Sequence, residues 1–478
     1  MTRKIKVAAH RIPILVSTVA MILLVLTGCG GGVGNQILPS NTPIPSVAAN
    51  TTPVTVGQTT TGGHTNGIFT SVTVCGPDIL PVGQNPPYGP PPTPTCTTIP
   101  NILVDTGSVG LRLLESGQVD ALNLPLVTDS NNNPLQDCVQ FADFSFVWGP
   151  VARATVHIAG EVAAQVPLDN EIANTGIPVQ ILTLPYNLST AAPANCLSSS
   201  LEGGAPIAAN TLSNLGANGI LGVGSSLQDC GAACDSSTPR NQYYYCPSNL
   251  CSAASVPLDL QLWNPVAAFA YDNNGLALTL PIASPRGSSR LTGSLVFGIG
   301  TQADNTLSTQ QIFAMDAFGN FPQVTLTQTV DPSLPANLLA NYLSPQNGSY
   351  IDSGSPAIYF SDAQSLGMAP CSNTVNLLGP LYCPNTITSY SANIYGTNKT
   401  QSVYSWNVAN ADTLLASGNS VFGSLGGDTG INLSTDYVDF GLPFFLGRTV
   451  YVGFAGTALV YPPQVVNPIT YPNGFWAF

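Results

Sequence analysis

Short apolar runs separated by clusters of Gly, Pro, Ser, Thr and Asn recur along this chain of 478 residues. Runs of this kind have the length and the flanking turn residues of β-strands rather than of helices. Helix-forming residues are scarce, so we expect an all-β protein. The pattern predicts strands within residues 67–75, 101–104, 219–224, 266–281 and 293–300.

Two of the apolar runs lead directly into an aspartate. Residues 102–104 precede Asp105, and the pair Tyr350-Ile351 precedes Asp352. Burial of a lone carboxylate costs several kcal/mol or raises its pKa, so each acid is expected to have a partner or a chemical role. The two turns consist of Asp105, Thr106, Gly107 and Ser108, and of Asp352, Ser353, Gly354 and Ser355.

The segment between the two turns contains a further strand signal. Residues 144–166 predict a β-hairpin, because two strand-like runs flank a Gly-Pro pair. This prediction places Trp148 and Gly149 near the tip of the hairpin.

The N-terminus has the pattern of a secretory targeting segment. Four basic residues precede an apolar run at residues 12–26, which is short for a transmembrane helix. The next residues, Leu26-Thr27-Gly28-Cys29, resemble a bacterial lipobox. The resemblance implies removal of residues 1–28 as a signal peptide, lipid attachment to Cys29 and export. Gly30 is not the aspartate that retains many lipoproteins at the inner membrane, so we expect an outer-membrane anchor, on the periplasmic or the cell-surface side.

Residues 29–65 are rich in Gly, Thr, Pro and Asn, and residues 30–63 contain no charged side chain. This composition predicts a flexible linker between the lipid anchor and the folded part of the chain.

The charge of the mature chain excludes one class of function. The whole chain has a net charge of −13, and removal of residues 1–28 takes away four of its eleven basic residues and none of its acidic ones. The mature chain is therefore strongly acidic. It lacks the basic face that nucleic-acid binding requires.

Ten cysteines remain after Cys29, an even number that predicts up to five disulfides in an oxidising compartment. Cys75 and Cys96 flank a Pro-rich excursion, Cys371 and Cys383 are close neighbours, and Cys138 and Cys196 are paired by elimination. The remaining four could hold zinc, but export favours two disulfides. These four are Cys230, Cys234, Cys246 and Cys251.

The two aspartate turns, 247 residues apart, together resemble the paired Asp-Thr/Ser-Gly-Ser/Thr motifs of the pepsin-like aspartic proteases. Further segments follow in that family's order. Residues 220–222 resemble the apolar pair before Gly in the first lobe; residues 440–441 resemble its counterpart, where Asp439 replaces one apolar residue. Residues 295–298 resemble the strand at the lobe junction, and residues 442–448 resemble the closing segment.

The resemblance implies an all-β fold of two lobes related by a pseudo-twofold axis. The N-terminal lobe would comprise residues 66–280, and the C-terminal lobe residues 281–478. The implied protein is a monomeric endopeptidase that binds a peptide or protein substrate in the cleft between the lobes. It needs no cofactor or metal, and only its lipid anchor contacts the membrane.

The implied chemistry uses the two aspartates as a pair. Two carboxyl groups in contact cannot both ionise, so they share one proton, as aspartic proteases are known to do. The ionised member would take a proton from a water that attacks the peptide carbonyl, and the protonated member would stabilise the oxyanion. By the same resemblance, Thr106 and Ser353 would hydrogen-bond across the pseudo-twofold axis. Ser108 and Ser355 would orient the outer carboxylate oxygens.

Two residues depart from the family's pattern. Trp148 stands where the family has a Tyr on a flap that closes over the cleft; its indole could donate a hydrogen bond or simply pack as hydrophobic cover. Arg112 stands where a first lobe usually has Trp, and it could pair with an acid or alter the pKa of the dyad.

A third Asp-Thr-Gly triplet serves as an internal control. Asp428 follows two glycines instead of an apolar strand, and no Ser or Thr follows the triplet, so it predicts a plain turn. His64 and His157 are expected to be structural. No zinc helix, nucleophile elbow with a suitable His, or dinucleotide-binding fingerprint is present in the sequence.

A second function stays open. A surface lipoprotein could keep this fold for binding or for a structural role after losing useful turnover. The changes at Trp148 and Arg112 and the cysteine-rich stretch at residues 230–251 favour this alternative, whereas the intact aspartate and serine set favours the enzyme.

Overall fold

The computed structural model describes residues 50–58, 64–77, 95–143, 145–167, 175–183, 191–197, 207–247, 250–326, 348–360, 368–371, 380–429, 437–459 and 469–478. The protein is predominantly β, with a few short helices. This confirms the all-β prediction. Cys29 and the signal peptide predicted for residues 1–28 lie outside the described residues, and within the described residues no helix is long and apolar enough to cross a bilayer.

The first fifteen strands are β1 Thr51–Gly57, β2 Ile68–Cys75, β3 Cys96–Asp105, β4 Val109–Leu114, β5 Leu135–Gln140, β6 Ser145–Ile158, β7 Glu161–Ala163, β8 Ile177–Leu182, β9 Ile207–Ala208, β10 Gly219–Val223, β11 Tyr243–Tyr245, β12 Ser252–Ala253, β13 Gly275–Leu280, β14 Arg290–Phe297 and β15 Ile312–Ala314. The other strands are β16 Gln323–Leu326, β17 Tyr350–Ile351, β18 Ile358–Tyr359, β19 Thr388–Tyr395, β20 Gln401–Val408, β21 Gly426–Gly427, β22 Asp439–Phe440, β23 Arg448–Gly453, β24 Thr457–Leu459, β25 Ile469–Tyr471 and β26 Phe475–Ala477. The helices are α1 Gly117–Asp120, α2 Ala194–Leu197, α3 Leu212–Leu215 and α4 Ala411–Leu415.

Seventeen of the described strands join in one hydrogen-bonded sheet, which includes β1 to β15, β23 and β26. Smaller sheets are formed by β16, β19 and β20 and by β17, β22, β18 and β21. The largest hydrophobic cluster contains buried side chains of β3 and β10 as well as of β17, β22 and β23. The two aspartate-bearing strands therefore share one core.

The same local strand pattern surrounds both aspartates. β3 pairs in parallel with β10, which places Gly222 opposite Asp105, and β10 pairs antiparallel with β4. In the second case β17 pairs in parallel with β22, and β22 pairs antiparallel with β18. The backbone amide of Asp352 donates to the carbonyl of Phe440 at 3.0 Å, next to Gly441. The glycine-terminated strands noted in the sequence thus lie beside the two aspartate-bearing strands.

The linker predicted for residues 29–65 is wrong for residues 51–57. This segment is β1, which pairs with β14 along its whole length and with β2 at residues 55 and 56. Val54 and Val56 on its inner face are fully buried, and this alternation outweighs the linker-like composition of its neighbours.

The hairpin predicted with its tip at Trp148 and Gly149 is also wrong. β6 runs without interruption through both residues and turns only before β7. A Cβ atom on Gly149 would lie 1.8 Å from the carbonyl oxygen of Ile181. Glycine at this position therefore allows the close approach of β8 and does not mark a turn.

Two further strand predictions are adjusted. Residues 266–281 contain a single turn of 3-10 helix, Val266–Ala268, and then β13; Asp272 with φ 49° lies in the turn between them. Residues 293–300 overlap β14. The domain boundary predicted at 280/281 falls between β13 and β14, which pair with each other, and it stays a prediction.

The five predicted disulfides are confirmed. The four cysteines for which zinc was the alternative are each bonded within the cysteine-rich segment. The pairs are Cys75–Cys96, Cys138–Cys196, Cys230–Cys234, Cys246–Cys251 and Cys371–Cys383.

Candidate active site

The two aspartate turns face each other, and a side-chain hydrogen bond joins the carboxyl groups of Asp105 and Asp352. The two residues are 1% and 0% exposed, respectively. A Cβ atom on Gly107 would lie 2.5 Å from Asp352 Oδ2, and one on Gly354 would lie 2.6 Å from Asp105 Oδ1. Only glycine permits this approach of the two turns.

Crossed hydrogen bonds connect the residues after the two aspartates. The backbone amide of Ser353 donates to Thr106 Oγ1 at 2.9 Å, and the amide of Thr106 donates to Ser353 Oγ at 3.1 Å. Ser353 Oγ in turn donates to the carbonyl of Val104 at 2.8 Å. The predicted hydrogen bonding between Thr106 and Ser353 is confirmed, and it fixes the relative position of the two turns.

Each turn also holds its own carboxyl group. The amides of Gly107 and Gly354 donate to Asp105 Oδ1 at 2.8 Å and to Asp352 Oδ1 at 2.7 Å. Ser108 Oγ lies 2.5 Å from Asp105 Oδ2 and donates to it. Ser355 Oγ is 3.3 Å from Asp352 Oδ2, a longer contact. Both serines thus contact the outer oxygens as expected, but with unequal strength.

A third buried acid lies beside the pair, and sequence reasoning missed its position. Asp439 is 4% exposed, and its Oδ2 accepts a hydrogen bond from Ser355 Oγ at 2.5 Å. It lies in β22 opposite Tyr350. The sequence carried a signal for it, because Asp439 is also an acid inside an apolar strand, but that signal was interpreted only as a departure from the family's pattern.

Burial and neighbouring charges make the two paired acids unequal. Burial raises the pKa of Asp105, while the hydrogen bonds from Ser108 and Asp352 lower it again. The pKa of Asp352 is raised well above its usual range, first by burial and then by the negative charges of Asp105 and Asp439. Both carboxyl groups thus have raised pKa values, and that of Asp352 is raised further, which favours Asp352 as the member that holds the shared proton.

Arg112 pairs with acids, which was one of its two expected roles. It is 1% exposed, and its Nη2 lies 3.5 Å from Asp137 and 3.3 Å from Asp229. Asp229 also accepts hydrogen bonds from the Tyr243 hydroxyl at 2.6 Å and from the Gln242 amide at 2.8 Å. This network links β4 and β5 to the cysteine-rich segment. The charge of Arg112 also lowers the pKa of Asp105, and its effect is the smallest of those that shift this pKa.

The pKa values of the two acids of this network are both raised, but to different extents. Burial raises the pKa of Asp229 to about 6, although the charge of Arg112 lowers it. Burial and the charge of Asp229 raise the pKa of Asp137 well above its usual range. The upward shift is the larger for Asp137, so Asp229 is the favoured carboxylate partner of Arg112.

Trp148 does not occupy a flap tip. It is 1% exposed in β6, and its ring packs edge-on against Tyr244 with 5.5 Å between ring centroids. The same cluster contains the Cys138–Cys196 disulfide. The flap role predicted for Trp148 and Gly149 is therefore wrong, and the indole packs as hydrophobic cover.

The two remaining candidates lie in structural surroundings. His64 is buried against Phe69, and burial lowers its pKa to about 4, so it is neutral at physiological pH. Asp428 follows β21, and its amide donates to the carbonyl of Pro380. Gly430 of that third triplet lies outside the described residues.

The buried acids predict an unusual dependence of stability on pH. Asp105, Asp137, Asp229 and Asp352 have raised pKa values, so above about pH 4 the folded protein binds more protons than the unfolded chain. Stability from Asp229 is fully present below its ordinary value of 3.8 and is lost as the pH rises through about 6. His64 acts in the opposite direction between about 4 and 6.5, but it is one group against four. We expect the melting temperature to fall between about pH 4 and about pH 7, as measured by circular dichroism. A melting temperature that rises over this range would contradict the protonation states given above.

A comparison with protein-family models matches residues 46–460 to the family described as a protein of unknown function, DUF3443. The match covers most of the chain, so the protein belongs to this family. A search of curated proteins found no match.

Proposed function

We propose that this member of the DUF3443 family is an aspartic endopeptidase with a two-lobed, pepsin-like fold. The observation that carries the proposal is the buried, hydrogen-bonded pair of Asp105 and Asp352, with the crossed bonds between Thr106 and Ser353 behind it. Asp105 and Asp352 lie 247 residues apart in the sequence, and burying their two carboxyl groups side by side costs free energy. A catalytic proton shared by the two groups would account for this cost.

The repeated strand pattern supports the two-lobed fold. The group β3, β10 and β4 around Asp105 corresponds to the group β17, β22 and β18 around Asp352. In this proposal the two groups are the pseudo-twofold-related centres of the lobes, and a peptide binds across them.

The protonation states assign the roles. Asp105, as carboxylate, takes one proton from a water whose oxygen attacks the carbonyl carbon of the peptide bond. Asp352 gives its proton to the carbonyl oxygen, and this yields a neutral gem-diol. Asp352 then takes back one hydroxyl proton of the gem-diol, and Asp105 gives the proton that it took from water to the leaving nitrogen as the C–N bond breaks, which restores the pair to its starting state. The products are a carboxylic acid and an amine.

The cellular setting is a further part of the proposal. The basic and apolar N-terminus and Cys29 support export and lipid anchoring at the outer membrane, and the five disulfides agree with an oxidising compartment.

The alternative is a binding or structural lipoprotein with this fold. The observation that favours it is the integration of the cysteine-rich segment into the sheet, where β11 pairs with both β5 and β12. This segment adds strand pairing to the sheet that catalysis by the pair does not require.

The deciding experiment is a cleavage assay. Residues 30–478, which lack the predicted signal peptide and the lipidated cysteine, are incubated with unstructured protein substrates from about pH 3 to about pH 7. We expect a bell-shaped pH profile, because the pair works only with one proton. The double variant Asp105→Asn, Asp352→Asn, purified in parallel, controls for contaminating proteases. Equal cleavage by both preparations, or none by the wild type at any pH, would overturn the proposal and favour the binding role.

A further inference from the structure

The hydroxyl of Ser355 lies between two carboxyl groups. Its oxygen is 2.5 Å from Asp439 Oδ2 and 3.3 Å from Asp352 Oδ2. A hydroxyl has one proton and donates to one acceptor at a time, so the shorter contact takes the proton to Asp439. On the other side of the pair, Ser108 donates to Asp105 at 2.5 Å. The two serines, equivalent in sequence, therefore serve the two members of the pair differently.

Asp439 also acts on the pair through its charge. Its charge is one of the causes that raise the pKa of Asp352, after burial and the charge of Asp105. The titratable groups beside Asp439 are the carboxyl of Asp352 and the phenols of Tyr350 and Tyr437, with Tyr359 opposite it in β18. The phenol of Tyr350 has a pKa raised well above its usual range, chiefly by burial, and stays neutral.

We propose that Asp439 is a positioning residue of the pair: it holds the Ser355 proton away from Asp352, so that the shared proton stays on Asp352 and Asp105 remains the base. The inference rests on the proposed function and adds to it a residue that sets the pH range of cleavage. With Asp439 in place the pair keeps its single proton to higher pH than it would with an apolar residue there. The enzyme therefore works at less acidic pH.

The test is the variant Asp439→Asn. Asparagine has the same shape but no charge, and it leaves the Ser355 hydroxyl free to turn to Asp352. Both changes stabilise ionised Asp352, so the pair loses its shared proton at lower pH. We expect the alkaline limb of the kcat/KM profile to move down by about one pH unit, with KM at the optimum unchanged. A purely structural role would lower activity at every pH without moving this limb.

Two variants sharpen the comparison. In a Ser355→Ala background, Asp439→Asn is expected to move the alkaline limb of the kcat/KM profile by less than it does in the wild type. Only the charge of Asp439 is then removed, because there is no Ser355 hydroxyl to turn to Asp352. Asp428→Asn, in the third Asp-Thr-Gly triplet, is the matched control for an acid-to-amide change and is expected to leave the limb in place.

A measurement without substrate separates this inference from the proposed function. The raised pKa of Asp352 makes stability fall as pH rises, so Asp439→Asn is expected to make the fall of the melting temperature between about pH 4 and about pH 7 shallower. One outcome is that the wild type cleaves nothing, while the melting temperature of Asp439→Asn falls less steeply with pH than that of the wild type. The proposed function then fails, but the effect of Asp439 on the proton of Asp352 stands. The other outcome is that the wild type cleaves, and Asp439→Asn changes neither the alkaline limb of the kcat/KM profile nor the fall of the melting temperature with pH. The inference is then overturned and the proposed function stands.

Discussion

Replacing either Asp105 or Asp352 with asparagine is expected to lower the rate of peptide cleavage by on the order of 10³-fold or more. In the proposed mechanism each acid has a distinct role, since one accepts the proton of water and the other donates to the carbonyl oxygen. An amide can perform neither proton transfer. Because the pair acts as a unit, the double variant is expected to be no less active than the weaker single variant.

Loss of activity in these variants should not come from unfolding. Burial raises the pKa of both carboxyl groups, so the folded state gains nothing from their negative charge, and a neutral amide is tolerated at least as well. We expect unchanged circular dichroism spectra and melting temperatures no lower than that of the wild type. Asp428→Asn is the matched control and is expected to retain full activity. A single variant that cleaves at the wild-type rate would remove that residue from the mechanism.

Replacing Arg112 with methionine is expected to destabilise the folded protein by about 3–5 kcal/mol at neutral pH. The change removes the cation that lies between Asp137 and Asp229 in a fully buried network. Asp229 would then be a buried carboxylate without its counter-charge, although it would retain the hydrogen bonds from Tyr243 and Gln242. The measurement is the midpoint of urea unfolding, monitored by tryptophan fluorescence.

Asp137→Asn is the matched control within the same network. Burial and the charge of Asp229 raise the pKa of Asp137 well above its usual range, so an uncharged amide is expected to cost about 1 kcal/mol or less there. Unfolding midpoints that shift equally in Arg112→Met and Asp137→Asn would contradict the view that Asp229, and not Asp137, depends most on the charge of Arg112. An unshifted midpoint in Arg112→Met would show that the ion pairs add nothing to stability.

Local patterns were sufficient for the elements nearest to the aspartates. An apolar run before Asp105 and another before Asp352 predicted buried strands, and the short side chains after them predicted tight turns that could approach each other. The same criterion set Asp428 apart, because glycines precede it. The disulfides of close cysteines, such as Cys371–Cys383, were also predictable, since a short chain segment keeps its ends together.

Composition was misleading where a segment's surroundings override it. Residues 51–57 have the threonine and proline content of a linker, but pairing with β14 and β2 on its two sides makes β1 an interior strand. Gly149 has the signature of a turn, yet it lies in mid-strand because the backbone of β8 at Ile181 passes too close for any side chain.

By itself the sequence determined the strand class of the protein, the two aspartate turns and the disulfides Cys75–Cys96 and Cys371–Cys383, because each depends on residues close together in the chain. Only the tertiary structure decided which distant groups meet. It placed Asp439 on the far side of Ser355, 84 residues away along the chain, and Asp229 beside Arg112, 117 residues away. Strand register and parallel pairing set these contacts, and no local spacing in the sequence encodes them. The protonation of the pair follows from those contacts, because burial and neighbouring charge fix a carboxyl group's pKa only after the chain has folded.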